Sequence, residues 1–352
     1  MNRLAAITDA LAAKGVDGII ITDLKNIRYL SGFTGSSACL LITRKHYLFF
    51  TDFRYEEQSG KEVRGFDIFI EKEERPRLVL EKAKALGIKT LGFESTASYA
   101  FYRSLLRKGV RVRAVTNLVE DMRRIKDRTE LDLIDKAVMR AEKAFSEIRP
   151  YIREGAKEVQ LAARLEEALK KNGCVSLPFD IIVAAGANSS MPHAKPGDNK
   201  IRAGDLVVVD WGGEAGGYCS DMTRTFLMNG TGLAKKNEIY QTVLKANLAG
   251  IAAARDGVPA RLVDKAARDV IKNAGYEDFF GHGTGHGVGL NVHELPRISR
   301  LGRESVKTGM VFTVEPGIYL PGLGGVRIED MVAAGSKSCR VMTTLPKELD
   351  IL

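Results

Sequence analysis

Histidine is scarce in this chain and unevenly placed. There are five histidines in 352 residues, and three of them, His282, His286 and His293, fall within GHGTGHGVGLNVHE. Glycines alternate through the same run from Gly281 to Gly289, so side-chain bulk is lowest where imidazole is most concentrated. Such a run lets a backbone approach a ligand closely, or bend sharply, at little steric cost. A lone histidine is ordinarily a satisfied structural residue. Three together, in a chain that also pairs its acids, point to metal or proton chemistry.

The acids come as two hairpins. In LVVVDWGGEAGGYCSDMTRTF, two β-rich runs flank a glycine-rich turn. With Ala215 and Gly216 as a two-residue loop, Glu214 faces Gly217 and Asp210 faces Asp221. Side chains opposed in this way have Cβ atoms roughly 4.5–5.5 Å apart. Two ionised carboxylates there repel unless a positive charge lies between them, and a hard or borderline divalent cation meets that need. Thr223 and Thr225 share the face of Asp221 and can hydrogen-bond to ligating groups. VFTVEPGIYLPGLGGVRIED repeats the device, with Glu315 on the face of Thr313, Glu329 on the face of Arg327, and a PGLGG turn that brings the two glutamates together. Four carboxylates suit two cations better than one. A pair of ions roughly 3.5–4 Å apart activates a bridging water for hydrolysis. An imidazole would complete the set.

Other chemistries lack their motifs. The glycine run fits G-x-G-x-x-G in no register, and both a P-loop and a G-x-S-x-G elbow are absent. His293-Glu294 is followed by Arg297 where the helical zinc motif needs its second histidine.

Two kinds of element must position these residues. The first part of the chain alternates apolar runs (DGIIIT, ACLLIT, HYLFFTD, KTLGFES) with helical patterns, beginning with Leu4, Ile7 and Leu11 on one helical face, and reads as an α/β domain. A charged stretch, EDMRRIKDRTELD, leads into a long amphipathic helix through Ala137, Ala141, Ala144 and Ile148. The boundary falls near residues 118–126, giving domains 1–120 and 121–352. The second domain contains a repeat. REGAKEVQLAARLEEALKKNG (153–173) lies over RDGVPARLVDKAARDVIKNAG (255–275), and IRAGDLVVVD (201–210) over VKTGMVFTVE (306–315). Each half is a helix closed by glycine, then a glycine and a strand ending on an acid. That predicts a pseudo-symmetric domain with a site between its halves.

The ordered set Asp210, Asp221, His286, Glu315, Glu329, with HGTGHGVG, VHELP, TVEPGIY and GVRIED around it, resembles the pita-bread metallopeptidases: methionine aminopeptidase, aminopeptidase P and prolidase. MPHAKP (191–196) is similar to the segment carrying their auxiliary histidine. NIRYLSGFTGSSA and LFFTDFRYEEQ resemble the creatinase/prolidase N-terminal domain. The resemblance spans nearly the whole chain. It implies an α/β (α+β) protein of two domains, a creatinase-like N-terminal domain and a pita-bread catalytic domain. It also implies two divalent ions, manganese first, with cobalt, zinc or iron as alternatives. Asp210 would hold one metal, Asp221 and Glu329 would bridge the pair, and His286 and Glu315 would complete the other. A bridging hydroxide would attack the scissile carbonyl, and Glu315 would shuttle its proton. His293 and His193 would stabilise the oxyanion. His282 would shape the substrate pocket or support the glycine-rich strand. Arg327 would orient Glu329 or a substrate carboxylate, and Arg297 would pair with a dipeptide's terminal carboxylate. The N-terminal domain argues against methionine aminopeptidase, and the complete ligand set against creatinase. The expected activity is therefore an Xaa-Pro aminopeptidase, with Xaa-Pro dipeptidase as the alternative and a non-catalytic binding module as the remote one. The expected partners are short peptides with proline at the second position, and a second copy in a homodimer.

Composition narrows the remainder. The net charge of +9 comes from basic residues interspersed with acids, without a basic run interleaved with aromatics, so nucleic acid is not expected. No apolar run is long enough to span a bilayer, and the N-terminus lacks a signal-like apolar stretch. Cys39, Cys174, Cys219 and Cys339 are scattered, which excludes a disulfide framework or thiolate zinc site and fits a cytoplasmic protein.

Overall fold

The computed structural model describes residues 3–72, 74–106 and 109–352. The chain forms two compact units, Met1–Arg123 and Arg124–Leu352. No helix among the described residues is long and apolar enough to cross a membrane.

The first unit is built on a six-stranded mixed sheet. Its strands are β1 (Gly18–Ile21), β2 (Cys39–Thr43), β3 (Tyr47–Thr51), β4 (Asp67–Ile70), β5 (Thr90–Glu94) and β6 (Arg111–Val115), in the order β4-β3-β2-β1-β5-β6. The four apolar runs read from sequence are β1, β2, β3 and β5, the inner strands. Their faces are covered on both sides, so Ile20, Leu41, Phe50 and Leu91 join Val79 and Leu80 in one core. The two strands that sequence reasoning missed are the sheet's edges. In β6, Arg111 and Arg113 alternate with valine and alanine, and in β4 Asp67 and Ile68 are exposed. Edge strands carry charge on an open side, which erases the apolar signal.

In the second unit a helix over Arg128–Ile148 starts with a capping box, Asp127 and Glu130, and buries the stripe expected from sequence, Ala137, Ala141, Ala144 and Ile148. Ahead lie β7 (Ile182–Ala185), β8 (Leu206–Trp211), the two-residue β9 (Glu214–Ala215) and β10 (Tyr218–Cys219), and β11 (Met222–Leu227). Small residues on the helix let β8 and its turn come close. Trp211 donates its indole N–H to the Ala141 carbonyl at 3.0 Å and stacks on Phe145, with ring centroids 4.3 Å apart. A Cβ on Gly213 would meet the Ala137 carbonyl.

The second half adds β12 (Gly285–Gly287), β13 (Glu294–Ile298), β14 (Val311–Val314), β15 (Gly317–Leu320), β16 (Gly324–Arg327), β17 (Asp330–Ala334) and β18 (Cys339–Val341). The repeat appears directly in the topology. The first half forms a sheet β11-β8-β7, and the second contains the run β17-β14-β12, all antiparallel. Helices Glu158–Lys171 and Ala260–Asn273 are both 14 residues long and close on Gly173 (φ 92°) and Gly275 (φ 82°). These left-handed positions follow a helix end and favour glycine. Gly204 (φ 79°) and Gly309 (φ 88°) likewise introduce β8 and β14.

One register differs from the sequence reading. Tyr218 pairs with Ala215, Cys219 with Glu214 and Thr223 with Asp210, so the loop is Gly216–Gly217 and not Ala215–Gly216. The turn needs two consecutive positive φ values, here 57° and 84°, and Ala215 would be strained in the first position. Asp210 therefore opposes Thr223, while Asp221 sits just before β11. A shift of two residues leaves every side chain on its original face.

Candidate metal centre

The second hairpin brings Glu315 and Glu329 together as its sequence suggested. Val314 pairs with Asp330 and Gly317 with Arg327, and one register runs through both pairings, so Glu315 lies opposite Glu329. The two hairpins are joined across the halves, since Thr223 bridges to Glu329 and donates its hydroxyl to Glu329 Oε2 at 2.7 Å. On the glycine-rich strand, His286 sits between β13 and β14. Its backbone N–H donates to Thr313 Oγ1 at 3.1 Å, and Thr313 Oγ1 donates to Glu315 Oε1 at 2.9 Å.

The glycines around His286 make room for the neighbouring strands. A Cβ on Gly285 would collide with the Thr313 carbonyl, one on Gly287 with the Leu295 carbonyl, and one on Gly289 with the Glu294 carboxylate. Gly281, which opens the run, has open space around it. Alternation thus lets β12 lie close to its neighbours, with His286 as the one side chain of that three-residue strand.

The imidazole's orientation is set. His286 Nδ1 is 3.1 Å from the Gly287 carbonyl, which can only accept, so the neutral ring carries its proton there and leaves the Nε2 lone pair free. That lone pair lies 3.3 Å from Glu315 Oε1 and 3.5 Å from Asp221 Oδ2. Ligand atoms of Asp221, His286 and Glu329 all fall within 4.8 Å of one another. Donors about 2.0–2.2 Å from a single ion lie roughly 3–3.5 Å apart, which these spacings match. Burial, then the neighbouring carboxylates, raises Asp221 and Glu329 well above the usual carboxylate range, and burial raises Glu315. Burial also lowers His286. Asp210 opposes Thr223 from β8. Its Oδ2 pairs with Arg327 at 2.6 Å, while its buried Oδ1 has no protein partner. The set is rich in acceptors and short of donors, as a divalent-cation site requires.

Arg327 ties the surroundings together. Besides Asp210, it donates to Thr223 Oγ1 at 3.0 Å, to the Tyr319 hydroxyl at 3.0 Å and to the Pro192 carbonyl at 3.1 Å. It thus holds Asp210 directly, is linked to Glu329 by hydrogen bonds through Thr223, and also acts on Glu329 by its charge. His282 Nε2 lies 2.9 Å from the same Tyr319 hydroxyl, and burial lowers its pKa. The His293 ring is 4.1 Å from that of His286 and is lowered by burial and then by that neighbour. His193 is exposed in the segment that Arg327 grips at Pro192. Arg297 is exposed on β13, in register with His286.

Sequence reasoning missed two residues. Tyr319 shares Glu315's face by simple alternation, a signal that was available. Arg224 gave none. Buried behind the site, it uses all five N–H groups: on Asp330 Oδ1 and on the carbonyls of Thr223, Glu329, Leu345 and Pro346.

Residues 132–335 match the Metallopeptidase family M24, and residues 3–125 the Creatinase/Prolidase N-terminal domain. A Xaa-Pro dipeptidase of Pyrococcus horikoshii is 37% identical over 99% of this chain and 98% of its own length. Among solved structures, a Xaa-Pro dipeptidase from Bacillus anthracis superposes with TM-score 0.97 at 39% identity, covering 99% of both chains. An X-Pro aminopeptidase from Thermotoga maritima does so with TM-score 0.90 at 34% identity, covering all of both. The mixed α/β fold, the N-terminal domain type and the hydrolase class are those expected from sequence, and the chain belongs to metallopeptidase family M24.

Proposed function

We propose that this protein is an exopeptidase that hydrolyses the bond preceding proline in short peptides. The observation that carries this reading is the buried convergence of His286 Nε2 with the carboxylates of Asp221, Glu315 and Glu329. In this reading Asp210, Asp221, His286, Glu315 and Glu329 hold two divalent ions. A mixed carboxylate and imidazole set suits Mn²⁺, with Co²⁺, Zn²⁺ and Fe²⁺ as alternatives. When bound, such a pair supplies a Lewis acid and lowers the pKa of the attacking water. Glu315, whose affinity for a proton is raised by burial, accepts the proton of that water and returns it to the prolyl nitrogen as the bond breaks. His293 and His193 donate to the carbonyl oxygen as it gains charge. His282, fixed by Tyr319, borders the substrate. Arg327 holds Asp210 in place for its role as a ligand.

Arg297 supports the dipeptidase form of the activity over the aminopeptidase form, since its exposed guanidinium can pair with a dipeptide's terminal carboxylate. The similar proteins carry both names, so the preference rests on Arg297. We assign catalysis to residues 121–352, and to residues 1–120 the contacts of a homodimer. Four unbridged cysteines fit a cytoplasmic location.

The test is hydrolysis of an Xaa-Pro dipeptide against an Xaa-Pro-Yaa tripeptide by apo-enzyme reloaded with Mn²⁺. Cleavage of the dipeptide alone gives a dipeptidase, and cleavage of both an aminopeptidase. Failure on both, with metal bound, sinks the proposal in favour of a binding module.

A further inference from the structure

A buried acid that takes no part in this chemistry closes the segment carrying His193. Glu158, the first residue of helix Glu158–Lys171, is completely buried. Its Oε1 accepts hydrogen bonds from the Ala185 backbone at 2.8 Å, Asn199 Nδ2 at 2.9 Å and Asn188 Nδ2 at 3.1 Å. Its Oε2 accepts from the Gly197 backbone at 3.2 Å. Ala185 and Asn188 lie before His193, Gly197 and Asn199 after it. One carboxylate therefore pins both arms of the excursion that leaves β7, presents His193 and returns towards β8.

The excursion is held from its other side by the site itself, through Arg327 on the Pro192 carbonyl at 3.1 Å and the Gly325 N–H on Ser189 Oγ at 2.8 Å. Helix-end electrostatics accounts for an acid at the start of a helix but not for where these oxygens point. All four partner groups donate, and a carboxylate is the side chain that accepts from all of them without offering a donor of its own. The other repeat helix does comparable work about one turn further along. Asp264 accepts from the Thr284 backbone at 3.1 Å and hydroxyl at 2.8 Å, while Arg268 donates to the carbonyls of Phe280 at 2.9 Å and His282 at 2.8 Å.

We infer that Glu158 is a positioning residue for His193, fixing the excursion so that the imidazole meets the substrate carbonyl. This rests on the reading that His193 acts on the substrate. The test is a double-mutant cycle on the metal-loaded enzyme with an Xaa-Pro dipeptide, using Glu158→Gln, His193→Ala and the pair. Glutamine keeps the shape but turns an NH₂ towards donors. The expected result is a ten- to hundredfold loss of kcat in Glu158→Gln, with KM and metal content little changed. That loss shrinks to about twofold or less when His193 is already alanine. Asn199→Ala, which leaves the acid and removes one of its donors together with that amide's second bond, to the Ala185 carbonyl at 3.1 Å, gives the same pattern on a smaller scale and serves if Glu158→Gln does not fold. A loss that persists undiminished in the His193→Ala background overturns the inference and leaves His193's role standing. Undiminished turnover in His193→Ala alone overturns the reading of His193, and the inference falls with it.

Discussion

At the scale of single residues, small groups beside the acids set the orientation of the larger ones. Thr313 Oγ1 stands between the His286 backbone and Glu315 Oε1, accepting from one and donating to the other. Thr313→Val keeps the volume and removes both bonds. It is expected to lower kcat/KM ten- to hundredfold with an unchanged fold, as steady-state kinetics and circular dichroism will show. The thiols should be silent. Burial pushes Cys39 up to about 12 and Cys339 to about 11. A pKa above the working pH keeps the sulfur as a thiol, so at pH 8 almost none of either is present as reactive thiolate, and Cys174 and Cys219 are shielded by burial. Aromatic disulfide reagent should react slowly with native protein at pH 8 and rapidly with all four cysteines in guanidinium; a fast native thiol would contradict this. Residue types at this scale were legible because metal chemistry needs particular atoms, and alternation fixed their faces. Arg224 was not legible, since its five partners are mostly carbonyl oxygens that no sequence pattern marks.

At the scale of elements, close packing of β12 is the demanding feature. Gly285→Ala forces a Cβ onto the Thr313 carbonyl and should cost about 1–3 kcal/mol, together with metal affinity. Gly281→Ala, in open space, should change neither. Denaturant titration of the two variants separates a packing requirement from mere flexibility of the run. Behind β11 and β17, Asp330 takes Arg224 at 2.9 Å and Lys347 at 2.7 Å, all within the interior or nearly so. Asp330→Asn leaves the buried Arg224 and the half-buried Lys347 without their counter-charge and is expected to destabilise by about 3–5 kcal/mol in urea unfolding. Sequence revealed the inner strands β1, β2, β3 and β5 because both faces are apolar. It concealed β4 and β6 because edges are half solvated. The hairpin register escaped because EAGG offers two plausible turns, and only backbone strain at Ala215 decides between them.

At the scale of the whole molecule, the second unit gathers four acids, and burial disfavours the charges of three of them, Asp221, Glu315 and Glu329. A cation that binds the folded form alone must stabilise it. At a free concentration of a hundred times Kd the gain is about 2.7 kcal/mol. For a unit of this size that corresponds to a rise of about 5–11 °C in melting temperature. Mn²⁺ added to chelator-treated protein should produce that shift in calorimetry, and replacing His286 with alanine should remove most of it. An unmoved transition would count against the centre.

The repeat has one more consequence. β7 and β12 occupy matching places beside β8 and β14, yet β12 carries His286 and β7 carries only Ile182, Val183, Ala184 and Ala185. A centre with true two-fold symmetry would have no preferred direction, and a peptide, which runs from amino to carboxyl end, could lie across it either way. The unmatched imidazole makes the two sides inequivalent. It gives a duplicated frame a head and a tail, and so a means of distinguishing one end of a peptide from the other.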